Sequence, residues 1–300
     1  MSFSVQQVKT STDIKKFIRL PWKVYEDSPL WIPPLISERE KFLDPSVNPF
    51  LKYSKVDLFL VTSDKHTVVG RIALIENYVH NETLSNRVGF FGMFEVVNDK
   101  QVSDLLLDKA AQWCRERNFS KLIGPVNLST NHECGLLIDG FDTSPVIGIP
   151  YNPYYYSGYF DDWGLIKYKD LVSLRMNLPR IPEYLELAIG RINKRDRFSI
   201  RSFSLKYFDE EIDIIWRIYN ESWANNWGFI PMSKEEFKYS ANEMKNFIRP
   251  EYCFIAEING EPVGFSLTLP DINPVLKKMN GRIFPFGWAS FLLHKNKIKL

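Results

Sequence analysis

The chain has 300 residues, of which 45% are hydrophobic, 25% charged and 15% aromatic, and its net charge is +2. That balance gives no overall field for nucleic acid, and the composition is that of a globular protein with ample core, long enough for two domains or one large one. An odd, unclustered set of cysteines (Cys114, Cys134 and Cys253) opposes a disulfide framework and a zinc site and favours a reducing cytosol.

The opening, MSFSVQQVKTSTDIKKFI, lacks the apolar core of a signal peptide. Thr12 or Ser11 can cap a helix that runs into IKKFI and breaks or kinks at Pro21. A proline-rich connection follows, through Pro29, Pro33, Pro34, Pro45 and Pro49. VDLFLVTSD and TVVGRIALIEN alternate as two strands about a polar turn, Ser63 to His66, and VGFFGMFEVV reads as a third. VSDLLLDKAAQWCRERN is the clearest helix: Leu105, Leu106, Ala110, Trp113 and Cys114 keep helical spacing, and Arg115 and Arg117 fall in its last turn. KLIGPVNL is a further strand. The stretch from Asn131 to Gly164 is loop-rich, with a short helix over 154–163, and LIKYKDLVSLRMNL reads as a strand or hairpin. Residues 179–200 form a connector with Pro179, Pro182, an amphipathic helix and the basic run RINKRDRFSIR. A helix over 210–224 and strands at CFIAEING and PVGFSLTLP come next. No uninterrupted apolar run approaches the roughly 20 residues needed to span a bilayer.

Two stretches repeat at one offset. VYEDSPLWIPPL with FLVTSDKHTVVGRIAL matches IYNESWANNWGFIPM with FIAEINGEPVGFSLTL, and both Tyr25 to Tyr219 and Gly70 to Gly264 are 194 positions apart (219 − 25 and 264 − 70). One offset carrying two motifs describes one fold used twice. The expected division is a first domain over 1–178, the connector, and a second domain over 201–300 that stops before its ligand-binding turn.

Antiparallel hairpin, central strand, long helix, strand, short helix and final strands: this order resembles the GCN5-related N-acetyltransferase (GNAT) fold. YYSGYFDDWGLIKYKDLVSLRM is similar to that family's closing segment, with Gly164-Leu165 at its Gly-Phe position. GPVNLSTNHECGLLIDGFD, PYNPYYY and FPFGW resemble the bacterial ceramide synthase-like group of tandem GNAT proteins, over nearly the whole chain. The resemblance implies an α+β protein of two mixed-sheet units in tandem, the second incomplete. It implies an N-acyltransferase that uses acyl-CoA or acetyl-CoA as co-substrate, without a metal, on a small-molecule amine such as a long-chain sphingoid base. Two alternatives stand beside it: aminoacyl transfer to a peptidoglycan precursor, and a catalytically silent binding or assembly module. No nucleic-acid partner is expected. The expected location is cytoplasmic, with peripheral contact to lipid at the inner membrane face as an option; the oligomeric state is open.

In the family the helix after the central strand meets pyrophosphate through a glycine-rich turn, where bare backbone approaches phosphate. Here the turn is VVNDKQVSD, with no glycine and with Asp99 and Asp104 at the helix start. The first copy is therefore not expected to hold CoA in the usual way, and the CoA-binding residues are expected beyond Leu300. Glu95, on the central strand, stands where the family has a carboxylate that acts as base for the amine; the plain alternative is a solvated or cross-strand-paired glutamate. Asn127, Asn131, His132 and Glu133 crowd one loop, where Glu133 or His132 can accept a proton and the amides can orient a head group; the alternative is turn chemistry. Around the short helix, Asn152 and Tyr155 are candidate substrate contacts. The family's thiolate-protonating tyrosine position holds Phe160, which leaves Tyr156, one turn earlier, as the substitute; packing aromatics are the alternative. Arg191, Lys194, Arg195, Arg197 and Arg201 can meet a CoA phosphate or an anionic membrane, or form a solvated linker helix. Phe284, Phe286, Trp288, Phe291, Leu292 and Leu293, with His294, Lys295 and Lys297, suit a lipid interface, a tunnel wall or burial between the copies.

Overall fold

The computed structural model describes residues 2–176, 180–192 and 197–283. The backbone groups into two compact units, one of Met1–Lys167 with the segment beginning at Asp271, the other of Tyr168–Pro270.

In the first unit, β1 (Phe3–Gln7) leads to α1 (Ser11–Arg19) and α2 (Pro21–Val24). The cap of α1 is Thr10, because only Thr10 has Asp13 three residues on. Its hydroxyl accepts the Asp13 N–H at 3.1 Å while the Asp13 carboxylate accepts the Thr10 N–H at 3.2 Å. After α3 (Ile36–Phe42), β2 (Ser54–Ser63) and β3 (Val68–Asn77) form the expected hairpin, and α4 (Tyr78–Thr83) leads to β4 (Val88–Val96). The long helix α5 (Lys100–Glu116), a short β5 (Lys121–Ile123) and α6 (Tyr155–Trp163) complete the order. The sheet runs β1-β2-β3-β4-β5, antiparallel except for the parallel β4–β5 pair. This α+β mixed sheet has the strand order that the GNAT resemblance implies. LIKYKDLVSLRM forms no strand: Ile166, Val172, Leu174 and Met176 are exposed, and among the described residues no strand pairs with them.

Each face of the sheet is covered. On one side α5 lays Val102, Leu106, Ala110 and Trp113 against Phe59, Val61, Ile72 and Leu74; on the other, Phe17, Phe42 and Phe50 pack on Leu58, Leu60, Ala73 and Ile75. Each fully buried large apolar side chain contributes about 1.5–3 kcal/mol by leaving water. Gly70 lies under α5, where an added Cβ would stand 2.6 Å from Val102. Asp57 on β2 fastens the end of α5 by accepting from Trp113 Nε1 at 2.7 Å and from Arg117 at 2.8 Å.

Two departures from regularity position the site. First, β4 bulges. Arg71 pairs with Glu95 and Ala73 with Gly92, so Met93 and Phe94 together oppose Ile72, and Met93 takes φ +46°. The extra residue reverses the alternation beyond it and turns Glu95 away from α5. Second, β4 and β5 pair only from Val88 to Phe90 and then part. The parting is closed by the chain itself: Val126 N–H donates to Phe91 O at 2.7 Å, and Asn127 Oδ1 accepts the Met93 N–H at 2.7 Å.

In the second unit, α7 (Glu183–Ile192), β6 (Phe198–Ser202), α8 (Phe208–Trp223), α9 (Lys234–Met244), β7 (Cys253–Ile258) and β8 (Glu261–Leu267) appear in that order, and β6-β7-β8 is an antiparallel sheet. Phe203, Phe208, Ile212, Ile215, Ala241 and Ile255 form its core. Arg201 binds Glu211 and Glu257 at 2.6 Å each. It is thus held by two carboxylates; Arg191 and Arg197 are exposed, and Lys194 and Arg195 lie outside the described residues. The aromatic segment from Phe284 onward also lies outside them. The helix α10 (Asn273–Met279) belongs to the first unit. It is tied there by Trp22 Nε1 donating to Asn280 Oδ1 at 2.8 Å, Ile36 N–H to Gly281 O at 3.0 Å, and Lys277 to Pro29 O. Among the described residues no helix is long and apolar enough to cross a membrane, and no group of His, Cys, Asp or Glu is arranged to hold a metal ion.

Candidate functional site

A cavity of about 170 Å³ opens in the first unit on the side of β4 away from α5. Its apolar wall comes from the proline-rich segment (Trp31, Ile32, Pro34) and from the loop before α6 (Pro145, Ile149, Pro150). The contacts of α10 with Pro29 and Ile36 pin the first of these segments. The polar lining includes Tyr25, Arg39, Arg71, Glu95, Asn127, Glu133, Tyr151, Asn152 and Tyr156.

The bulge of β4 delivers Glu95 here. Its side chain is 13% exposed and that of Arg71 12%, with 3.7 Å between Arg71 and the Glu95 carboxylate. The Tyr156 hydroxyl donates to Glu95 Oε2 at 2.9 Å and accepts the Val96 N–H at 2.8 Å. Burial raises the Glu95 pKa above its ordinary value, against the opposing pull of Arg71 and Tyr156. Burial also lowers the pKa of Arg71 and, with Glu95 close by, raises those of Tyr25 and Tyr156 well above theirs. Tyr25 stacks on Trp31 at 4.8 Å and donates to Tyr151 O at 3.1 Å. Arg71 donates to Phe17 O at 2.7 Å, and its Nε is buried without a hydrogen-bond partner among the described residues.

Asn127 is a clasp with two jobs. Its carbonyl oxygen holds Met93 N–H, and its amide donates to Glu133 Oε2 at 3.0 Å. The Asn127 backbone N–H also meets Glu133 O at 2.9 Å, so a tight backbone loop sets the direction of the Glu133 carboxyl into the cavity. Asn152 lines the cavity too, but its amide is spent on Leu137 and Pro153: Oδ1 accepts Leu137 N–H at 2.7 Å and Nδ2 donates to both carbonyls.

Other residues of the sequence reading stand apart. Tyr155 lies off the cavity lining and donates to Val96 O at 2.9 Å. Asn131, also outside the lining, donates its N–H to Ser129 Oγ at 3.2 Å. His132 points into the core, edge-on to Phe42 and Phe50 at 5.3 and 5.8 Å, with Nδ1 2.9 Å from Ser129 Oγ. Burial lowers its pKa to about 4 from 6.5. Between those values the unfolded chain binds more protons than the folded one, so this residue's contribution is present above about 6.5 and is lost as the pH falls toward 4, on the order of 3 kcal/mol in all. Glu95 has the opposite sign: its raised pKa costs stability as the pH rises through and above 4.5. Denaturant titrations at pH 7 and pH 4.5 are expected to show a smaller acid loss in His132→Phe than in the parent; an equal loss contradicts the assignment.

Sequence reasoning missed Arg71, Tyr25 and Trp31 as site residues. Tyr25 stood out only as a repeat marker. Arg71 is found only once the bulged register sets it against Glu95.

The end of α5 that the family offers to phosphate is self-capped. Asp99 accepts the Gln101 N–H at 3.0 Å, Asp104 pairs with Lys100 at 2.8 Å, and Tyr159 donates to Asn98 at 2.7 Å.

No protein-family model matches the chain. Among curated proteins it is 35% identical to the bacterial ceramide synthase of Caulobacter vibrioides, over 99% of this chain and 77% of that protein. The chain belongs to the bacterial ceramide synthase family. Escherichia coli Protein YghO is a second relative, 34% identical over 96% of this chain and 73% of its own length. Solved structures with a likeness include a ribosomal-protein-alanine N-acetyltransferase of Brucella melitensis (14% identity, 58% of this chain and all of that one, TM-score 0.35). Another is a glucosamine-6-phosphate N-acetyltransferase of Arabidopsis thaliana (10% identity, 59% and 100%, TM-score 0.35). At such scores the family assignment rests on the two curated relatives.

Proposed function

We propose that the chain is an acyl-CoA-dependent N-acyltransferase acting on a long-chain amine such as a sphingoid base, and that the cavity of the first unit holds the amine. The supporting observation is Glu133: a carboxyl with one oxygen fixed by Asn127, set in a chamber with an apolar wall, within a family whose Caulobacter vibrioides member is a ceramide synthase. The amine enters as an ammonium ion and loses a proton to Glu133. Its nitrogen lone pair then attacks the thioester carbonyl; as the tetrahedral oxyanion collapses to the amide the nitrogen gives up its second proton, and CoA leaves as thiolate, which takes up that proton as free thiol. Glu95, paired with Arg71 and tied to Tyr156, lies beside the Glu133 carboxyl in the lining.

The thioester itself is held away from the β4 edge of the first unit. There Met93 N–H is taken by Asn127, and Val96 N–H and C=O are taken by Tyr156 and Tyr155. Tyr156, tied to Glu95 and with its pKa pushed far up, serves the amine pocket and not the leaving thiolate. On this reading the two units are copies of one fold that have divided the labour. The β1–β2 register, from Phe3↔Ser63 to Gln7↔Phe59, corresponds to the β6–β7 register, from Phe198↔Ile258 to Ser202↔Phe254, at a spacing of 195 (198 − 3 and 258 − 63), one more than the 194 between Tyr25 and Tyr219, and supports the duplication.

The test is incubation with long-chain acyl-CoA and a series of amines while free thiol is followed. Amine-dependent thiol release with an N-acyl product by mass spectrometry is expected. Absence of release with every long-chain base, while the amine still binds, reduces the first unit to a binding module.

A further inference from the structure

The apolar wall of the cavity is made by two stretches that have no helix or strand of their own. Residues 25–35 run from α2 to α3 and supply Trp31, Ile32 and Pro34; residues 144–152 precede α6 and supply Pro145, Ile149 and Pro150. With no ladder inside either stretch, their separation is set by cross-links. One set is direct: the Tyr25 hydroxyl donates to Tyr151 O at 3.1 Å, and Ser28 Oγ lies 3.2 Å from the Tyr151 hydroxyl. The other is α10, which reaches both stretches from 128 and 248 positions further along the chain. At its start Asn273, 6% exposed, donates from Nδ2 to Pro145 O. Toward its end Lys277 donates to Pro29 O, Asn280 accepts from Trp22, and Gly281 O accepts the Ile36 N–H. Trp22 stands edge-on to Trp31 at 5.4 Å, and a Cβ at Gly281 would collide with the Trp22 ring, so this end is packed without slack. None of the lining residues belongs to α10, which therefore acts on the cavity from behind its walls.

The cavity, about 170 Å³, admits a head group, so a long alkyl chain must lie along the two stretches. A gap of less than an ångström between chain and wall already forfeits a quarter to a half of the dispersion attraction. The gain per methylene is thus governed by how far apart the stretches are held. We infer that α10 is the brace that sets this spacing, and that Asn273 is its positioning residue: by holding Pro145 while the other end of the helix holds Pro29 and Ile36, it gives the cavity its preference for long alkyl chains. Asn273 touches neither the amine nor the thioester and acts through Pro145. This inference rests on the amine reading of the cavity and names what fixes its preference among amines of different length.

The experiment measures binding of butylamine, hexylamine, octylamine and decylamine by calorimetry. In the parent protein the affinity is expected to rise at least about twofold per methylene, where full burial would give about fourfold. In Asn273→Ala decylamine is expected to bind at least tenfold more weakly while butylamine stays within threefold. A residue that merely supports the fold would weaken all four amines alike, and that result overturns the inference, as does a parent that binds the four equally or not at all. Lys277→Ala removes an exposed side chain at the other end of the brace and keeps the test decisive where Asn273→Ala fails to fold. Decylamine is expected to lose about threefold there and butylamine nothing, with exposed Lys278→Ala unchanged as control. A chain-length dependence in Lys277→Ala equal to that of the parent overturns the inference. Failure of the acyl-transfer reading is separate: it appears as no thiol release with any amine although the chain-length series and its loss in Asn273→Ala persist. Failure of the inference alone appears as thiol release in which kcat/KM depends on chain length equally in the parent and Asn273→Ala.

Discussion

Glu133→Gln is expected to slow amine acylation by about 10²- to 10⁴-fold at saturating substrate, the range by which a positioned general base accelerates proton removal. The substitution is close to isosteric. A glutamine oxygen at Oε2 still accepts from Asn127 Nδ2, now 3.0 Å away, so the loop and the clasp are retained. What is lost is the proton acceptor, and at 1.36 kcal/mol per tenfold the barrier rises by roughly 3–5 kcal/mol. Thiol release measured beside calorimetric binding of the amine separates the two effects. The expected split is a collapsed kcat with amine affinity changed far less. Unchanged turnover removes Glu133 from the chemistry.

Gly92→Ala is expected to destabilise the first unit by about 3 kcal/mol or more, lowering its Tm by roughly 6–12 °C. A Cβ at Gly92 would stand 2.0 Å from Val126 O and 2.9 Å from Asn127 Oδ1. The first contact is with backbone, which has no rotamer to change, so the chain after β5 must move. That movement breaks the Val126-to-Phe91 and Asn127-to-Met93 hydrogen bonds, and with them the hold on Glu133. Gly158→Ala is the control: it lies in α6 with nothing within 4 Å of an added Cβ, and a helical Gly-to-Ala change there is neutral or stabilising by about 0.5–1 kcal/mol. Thermal melts of the two variants that shift by the same amount would contradict the sealed parting of β4 and β5.

The hairpins of β2–β3 and β7–β8 and the helix α5 were legible in the sequence, because alternating and 3.6-residue patterns survive wherever an element has one buried face. The short strand β1 was not: its five residues carry no turn signal and owe their strand form to pairing with β2. LIKYKDLVSLRM alternates like a strand yet finds no partner strand among the described residues, which no local pattern can reveal. At the site, the crowded loop from Asn127 to Glu133 announced itself by its polar density, but only half of it faces the cavity. The tight turn through Ser129 sends His132 into the aromatic core and Glu133 the other way. Glu95 was singled out from its strand, whereas its surroundings depend on one bulged residue, Met93, whose positive φ no side chain advertises. Arg71 follows from the same bulge.

The most direct measurement is a crystal structure of the protein with a long-chain amine and, separately, with CoA. The account predicts amine nitrogen within hydrogen-bond distance of Glu133, its chain along Trp31, Ile32 and Pro34, and no pantetheine along β4 of the first unit. Pantetheine lying against Met93 and Val96 with Asn127 and Tyr156 displaced, or an amine bound away from the cavity, would contradict it.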